Sequence, residues 1–149
     1  MSDSTSAEYK DGVLTVTRLY NAPRADVFDA WMNTQKMNQW YGPEGTVEVK
    51  SDIEANMGGK YAHEMIFEGG RVHKSQGTII EYDPPSAFAY RSEGPGPDDV
   101  MTIRVEFIEQ GSNTLVRLTH KGVTEQMAQF VSPAWSGAFD KLAGFLQSS

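Results

Sequence analysis

The side chain with the widest chemical scope in this sequence is His63. It stands in the run Tyr61-Ala62-His63-Glu64-Met65-Ile66-Phe67. A period of two puts Tyr61, His63, Met65 and Phe67 on one face of a strand. An imidazole on an apolar face can orient the polar end of a ligand or move a proton. The competing reading is a core or rim histidine bonded to a neighbour. That reading is the stronger one, because nothing in the sequence supplies a partner for catalysis. Tyr90 lies with Phe88 and offers a phenol hydroxyl. His120 ends a strand, where capping or packing against the next helical segment suits it better than chemistry. His73 sits beside a hairpin turn and is expected to be exposed.

Other chemistry is poorly supported. The three histidines are scattered and the chain has no cysteine, so no metal or thiolate site is expected. Gly58-Gly59-Lys60 is no phosphate loop, because Glu54 and Tyr61 occupy positions that need Gly and Ser or Thr. Trp135-Ser136-Gly137 is no nucleophile elbow, since Ala134 breaks the pattern. No catalytic motif and no cofactor emerge. The residues expected to face a ligand are Tyr61, His63, Met65, Tyr90, Met101, Ile103, His120, Met127 and Trp135. Methionines suit an adaptable pocket, although the methionine and aromatic set reads first as core.

Those residues need a sheet and a helix to hold them. Trp135, Phe139, Leu142, Phe145 and Leu146 recur at helical spacing from Pro133 to Leu146 and make one apolar face. Ser132-Pro133 reads as a start signal for that helix. Thr124 to Val131 is a helical lead-in that Pro133 kinks or separates. Burying the five large side chains is worth roughly 1.5–3 kcal/mol each before entropy is subtracted, so the helix needs a large apolar partner. The middle of the chain supplies it. Gly12 to Tyr20 reads as a strand. Arg24 to Met32 and the segment from Asn33 to Trp40 read as two short helices. From Gly45 to Lys121 the period is two, with strands broken at Asn56–Gly59, Glu68–Gly70, Asp83–Pro85, Glu93–Asp99 and Gln110–Asn113. Gly77 inside its strand signals a bulge or bend. Arg104 and Glu106 lie opposite the apolar face of theirs and read as a solvated surface. The fold class is α+β: an antiparallel sheet of about seven strands packed on a C-terminal helix. One helix cannot fill a strongly curved sheet, so a cavity is expected between them.

Composition bounds the function. At 149 residues the chain fits one domain, expected at 11–149 behind a short flexible tail at 1–10. The formal net charge of −7 opposes binding to phosphate backbones, and nucleic acid is not expected as a partner. No apolar run approaches a membrane span, and the polar N-terminus is no signal peptide. The absence of cysteine mildly favours a cytoplasmic home.

An ordered series of residues resembles a known family. Arg18 with Ala22-Pro23, Val27-Phe28 and Trp31 is similar to the opening of the START-like (SRPBCC) superfamily. Trp40-Tyr41-Gly42-Pro43, Gly58-Gly59, Gly77 to Glu81 with Pro84-Pro85, Gly111 and Thr114 with Leu118-Thr119-His120, and Trp135 with Phe139-Asp140 and Leu142 resemble its branch of Hsp90 ATPase activator homologues. The likeness spans Val13 to Leu146. Asn56-Met57, Pro133 and Ala134 depart from the pattern. The resemblance implies a helix-grip fold with an apolar cavity. It leaves three functions to weigh: a binding protein for a small apolar or amphipathic molecule, a cyclase- or hydrolase-type enzyme, and a chaperone or protein-interaction module. Monomer and homodimer both remain open.

Overall fold

The computed structural model describes residues 5–43, 45–93 and 100–148. Strands β1 (Ser6–Lys10) and β2 (Val13–Tyr20) precede helices α1 (Arg24–Met32) and α2 (Thr34–Trp40). Then come β3 (Thr46–Ile53), β4 (Lys60–Phe67), β5 (Val72–Asp83), β6 (Ala87–Glu93), β7 (Val100–Gln110), β8 (Asn113–Lys121) and α3 (Glu125–Ser148). All eight strands form one antiparallel sheet in the order β1-β2-β8-β7-β6-β5-β4-β3. The two short helices carry the chain from β2 near one edge to β3 at the other. The sheet wraps α3, as the sequence implied. Most of the loop expected at Glu93–Asp99 lies outside the described residues; Glu93 itself ends β6.

Two expectations need correction. The tail at 1–10 is not all tail, because Ser6–Lys10 is a strand, which raises the count from about seven to eight. Asp11 and Gly12 both take positive φ (49° and 84°), the twist of a two-residue hairpin turn. The strand is exposed along most of its length, so it lacks the apolar alternation that marks a half-buried strand. The second correction concerns the last helix. It starts at Glu125 and runs unbroken through Pro133, so Ser132 is no N-cap. Thr124 caps the helix instead, its Oγ1 accepting from the Met127 amide at 3.2 Å. Proline deprives the Gln129 carbonyl of its helical donor, but Gln129 and Pro133 both lie on the exposed side, where water can serve. Burial of Trp135, Phe139 and Leu142 outweighs that local cost.

The core centres on Trp31. Its ring lies 4.9 Å from Trp40, 5.9 Å from Phe88, 6.4 Å from Phe107, 6.2 Å from Trp135 and 6.0 Å from Phe139. One side chain of α1 thus meets α2, the sheet and α3. Backbone-directed bonds fix the layers. The Tyr61 hydroxyl donates to the Trp31 carbonyl at 3.1 Å, Trp40 Nε1 to the Ala30 carbonyl at 3.0 Å, and the Tyr20 hydroxyl to the Phe139 carbonyl at 2.9 Å. Arg18 on β2 donates to Asp140 on α3 at 2.6 Å. Outside, Glu81, Arg104, Glu106 and Arg117 form a chain of ion pairs across β5, β7 and β8, the solvated face read from the alternation.

Gly77 shapes the site. A Cβ there would lie 2.7 Å from the Arg91 carbonyl oxygen and 2.9 Å from Tyr90 Cδ2. Tyr90 fits against β5 because Gly77 has no side chain. The register shift that bends this strand falls between Ile79 and Glu81, not at Gly77 itself. Gly77→Ala should lower stability by about 1–3 kcal/mol through overpacking against backbone. Urea unfolding of the two proteins checks this, and an unchanged midpoint refutes the crowding.

Candidate functional site

Between the sheet and α3 lies a cavity of about 930 Å³. Tyr41, Gly42 and Pro43, after α2, close one side. The sheet contributes Met65 and Phe67 from β4, Ser75 from β5, Tyr90 and Ser92 from β6, Met101 and Ile103 from β7, and His120 from β8. Helix α3 covers them with Phe130, Val131, Ala134, Trp135 and Ala138. Arg71, Val72, His73 and Lys74 are exposed at the mouth, in the β4–β5 hairpin. The Arg71 guanidinium sits 4.8 Å from the Phe67 ring centroid. Phe130 is 78% exposed although it borders the cavity.

The alternation of each strand explains this lining. Met65, Tyr90, Ile103 and His120 occupy inward positions whose outward neighbours carry Glu64, Arg91, Arg104 and Thr119. Six of the nine residues expected to face a ligand therefore meet here: Met65, Tyr90, Met101, Ile103, His120 and Trp135. Tyr61 and His63 lie deeper, in the wall, and Met127 lies one turn away from the lining part of α3, half-buried. Tyr41, Phe67, Phe130 and Ala138 line the cavity without having been singled out as ligand-facing. Tyr41 was legible only as part of the Trp40-Tyr41-Gly42-Pro43 turn.

Two polar arrangements stand out. In the first, Trp135 Nε1–H donates to His120 Nδ1 at 3.1 Å, and His120 Nε2 lies 3.1 Å from Met101 Sδ. Burial lowers the His120 pKa to about 4, so the ring is neutral at pH 7. Because Nδ1 accepts, the one ring proton sits on Nε2 and points at a thioether, a weak acceptor. The second is a stack of rings that runs from the lining into the wall behind it. His63 lies parallel to Tyr41 at 4.0 Å and edge-on to Tyr61 at 4.8 Å, while Tyr61 is 4.5 Å from Tyr90. Burial raises the Tyr41 pKa to about 12 and those of Tyr61 and Tyr90 well above the usual phenol value. All three phenols stay protonated. His63 is 3% exposed, and neither ring nitrogen has a hydrogen-bond partner among the described residues. Its pKa is pushed down to about 3 by burial. Of the core or rim histidine expected to bond a neighbour, the core placement holds and the bond does not: His63 is an unbonded wall histidine, held by ring contacts. No group of three metal-ligating side chains is found among the described residues.

A curved antiparallel sheet closed over a long C-terminal helix, with two short helices after the second strand, is a helix-grip fold of the START-like superfamily. Within it, the chain belongs to the family described as Activator of Hsp90 ATPase homolog 1-like protein, whose model matches residues 21–147. Solved structures agree in fold. A protein from Arthrobacter aurescens superposes with a TM-score of 0.84 at 14% identity, covering 97% of this chain and 92% of that one. One from Chromobacterium violaceum gives 0.81 at 20% identity, covering 90% and 96%. The AHSA1 protein from Silicibacter pomeroyi gives 0.77 at 20%, covering 91% and 97%. No curated protein sequence matches the chain.

The unbonded His63 makes a pH prediction. Its ordinary pKa is 6.5 and its folded value about 3, so between those pH values only the unfolded chain takes up the proton. Stability therefore falls as pH drops from about 6.5 toward about 3, by about 1.4 kcal/mol per pH unit for this group. His63→Phe keeps the stack and removes two unsatisfied nitrogens. It should match or exceed the wild type at pH 7 and gain on it steadily toward pH 5. Urea titrations at both pH values test this, and parallel pH dependences would refute it.

Proposed function

We propose that this protein binds a small apolar or amphipathic molecule between its sheet and α3. The observation that carries this reading is the cavity of about 930 Å³, within the roughly 300–1,000 Å³ usual for ligand sites. Its interior combines methionine, aromatic and aliphatic side chains with a few polar groups. Its charged neighbours, Arg71 and Lys74, stand at the mouth. The enzyme reading would need His63 or Tyr90 beside a carboxylate. No Asp or Glu lines the cavity among the described residues, and His63 faces phenols. The chaperone-module reading needs a continuous apolar patch; the large exposed apolar side chains Val47, Met57, Val72, Ile80, Val100 and Phe130 come from β3, the β3–β4 turn, β5, β7 and α3, and Val72 and Phe130 belong to the rim of the cavity itself. No helix among the described residues is long and apolar enough to cross a membrane. Cytoplasmic residence belongs to this same reading.

Ala134 offers a clean test because it lines the cavity on α3 and is only half-buried. Ala134→Trp fills the space with little demand on the core. Nile red should bind the wild type with a blue-shifted emission, and the variant should bind it at least about tenfold more weakly, a difference of roughly 1.4 kcal/mol. An unchanged melting temperature in the variant confirms that the fold survives. Equal dye affinity in both proteins would refute the cavity as the binding site.

A further inference from the structure

His120 offers the cavity a hydrogen-bond donor that the protein orients and uses poorly. His120 is 5% exposed and reaches the cavity from β8. Trp135 Nε1–H holds its Nδ1 from α3, so the ring cannot flip without leaving a buried indole N–H unpaired. The remaining proton, on Nε2, is aimed at Met101 Sδ. A thioether is a weak acceptor on a flexible chain with three rotatable bonds. Met101 itself is only half-buried and borders the same cavity.

We propose that His120 Nε2–H is the polar recognition point of the cavity, donating to a neutral acceptor oxygen of a mostly apolar ligand, with the Met101 sulfur moving aside. Ketones, esters and other neutral carbonyl compounds are the chemical class this arrangement takes. The exchange replaces a weak N–H···S contact with an N–H···O bond and leaves no buried donor unpaired. Nothing in the interior supplies a countercharge: the lining side chains behind the mouth are aliphatic, aromatic, hydroxyl, thioether and neutral imidazole groups. With the ligand absent the sulfur returns, so the empty site keeps its donor partnered. This inference rests on the cavity-binding reading above.

The experiment uses methyl hexyl ketone and octane as probes, with binding followed by calorimetry and the bound carbonyl by infrared spectroscopy. In the wild type the carbonyl stretch of the bound ketone should fall below its position in hydrocarbon solvent. In His120→Phe it should return to that position. Met101→Leu conserves volume and removes the competing sulfur. It should tighten ketone binding by about two- to tenfold, the range of one net hydrogen bond, and leave octane unchanged. Should His120→Phe fail to fold, the wild type and Met101→Leu carry the test alone. Ketone binding with an unshifted carbonyl in the wild type, or Met101→Leu without effect on ketone, overturns the His120 assignment and leaves the cavity reading standing. Binding of neither probe overturns both.

Discussion

The structure depends on the burial of one indole. Trp31 is the point where α1, α2, the sheet and α3 meet, and its ring is fully buried among Trp40, Phe88, Phe107, Trp135 and Phe139. Aromatic pairs at these separations add to plain area burial, so the cluster favours one relative placement of the layers over near neighbours. The cost is visible in the same residue. Trp31 Nε1 has no hydrogen-bond partner among the described residues, which the surrounding contacts must outweigh. The Trp31 carbonyl, held by Tyr61, ties the same residue to the deep wall of the cavity. Trp135, stacked at 6.2 Å, ties it to the lining.

From that anchor the polar chemistry of the cavity follows. Trp135 is placed by Trp31, His120 is oriented by Trp135, and the direction of the His120 proton is thereby set by core packing. Burial acts in the same sense on the ionisable rings there, favouring uncharged forms of His63, His120, Tyr41, Tyr61 and Tyr90. The interior offers dipoles and the rim offers charge.

Much of this was legible in the sequence, for definite reasons. Strict alternation in Met101–Phe107 and Val116–His120 marks the inward face because a pleated strand has a period of two. Met65, Tyr90, Met101, Ile103 and His120 follow from that alternation, and Trp135 from the helical spacing of α3. What alternation cannot give is depth. Tyr61 and His63 share the face of Met65, yet Tyr41 stacks on His63, and Tyr61 packs against Phe88 and Tyr90, so both sit behind the lining. Strand β1 escaped because an exposed strand needs no apolar face, although Asp11-Gly12 is itself a turn signal. On local grounds Pro133 reads as a kink or a break in helix α3. Only the burial of its far face, a tertiary fact, shows why the proline is tolerated.

The pairing of β2 with β8 has a consequence for how the chain reaches this state. Val13 lies opposite Lys121 and Tyr20 opposite Thr114, so strands far apart in the sequence are hydrogen-bonded neighbours. The loop they close spans most of the molecule, and its entropy must be lost before the contacts reward it. On the ribosome, β2 leaves the exit tunnel well before β8 and then waits, unpaired on that side, until β8 has followed. Its inward residues, Leu14 and Val16, are fully buried in the finished protein and exposed throughout that delay. The β1–β2 hairpin shortens the hazard on the other side, since β1 is available at once and is polar enough to shield an edge without inviting a second chain.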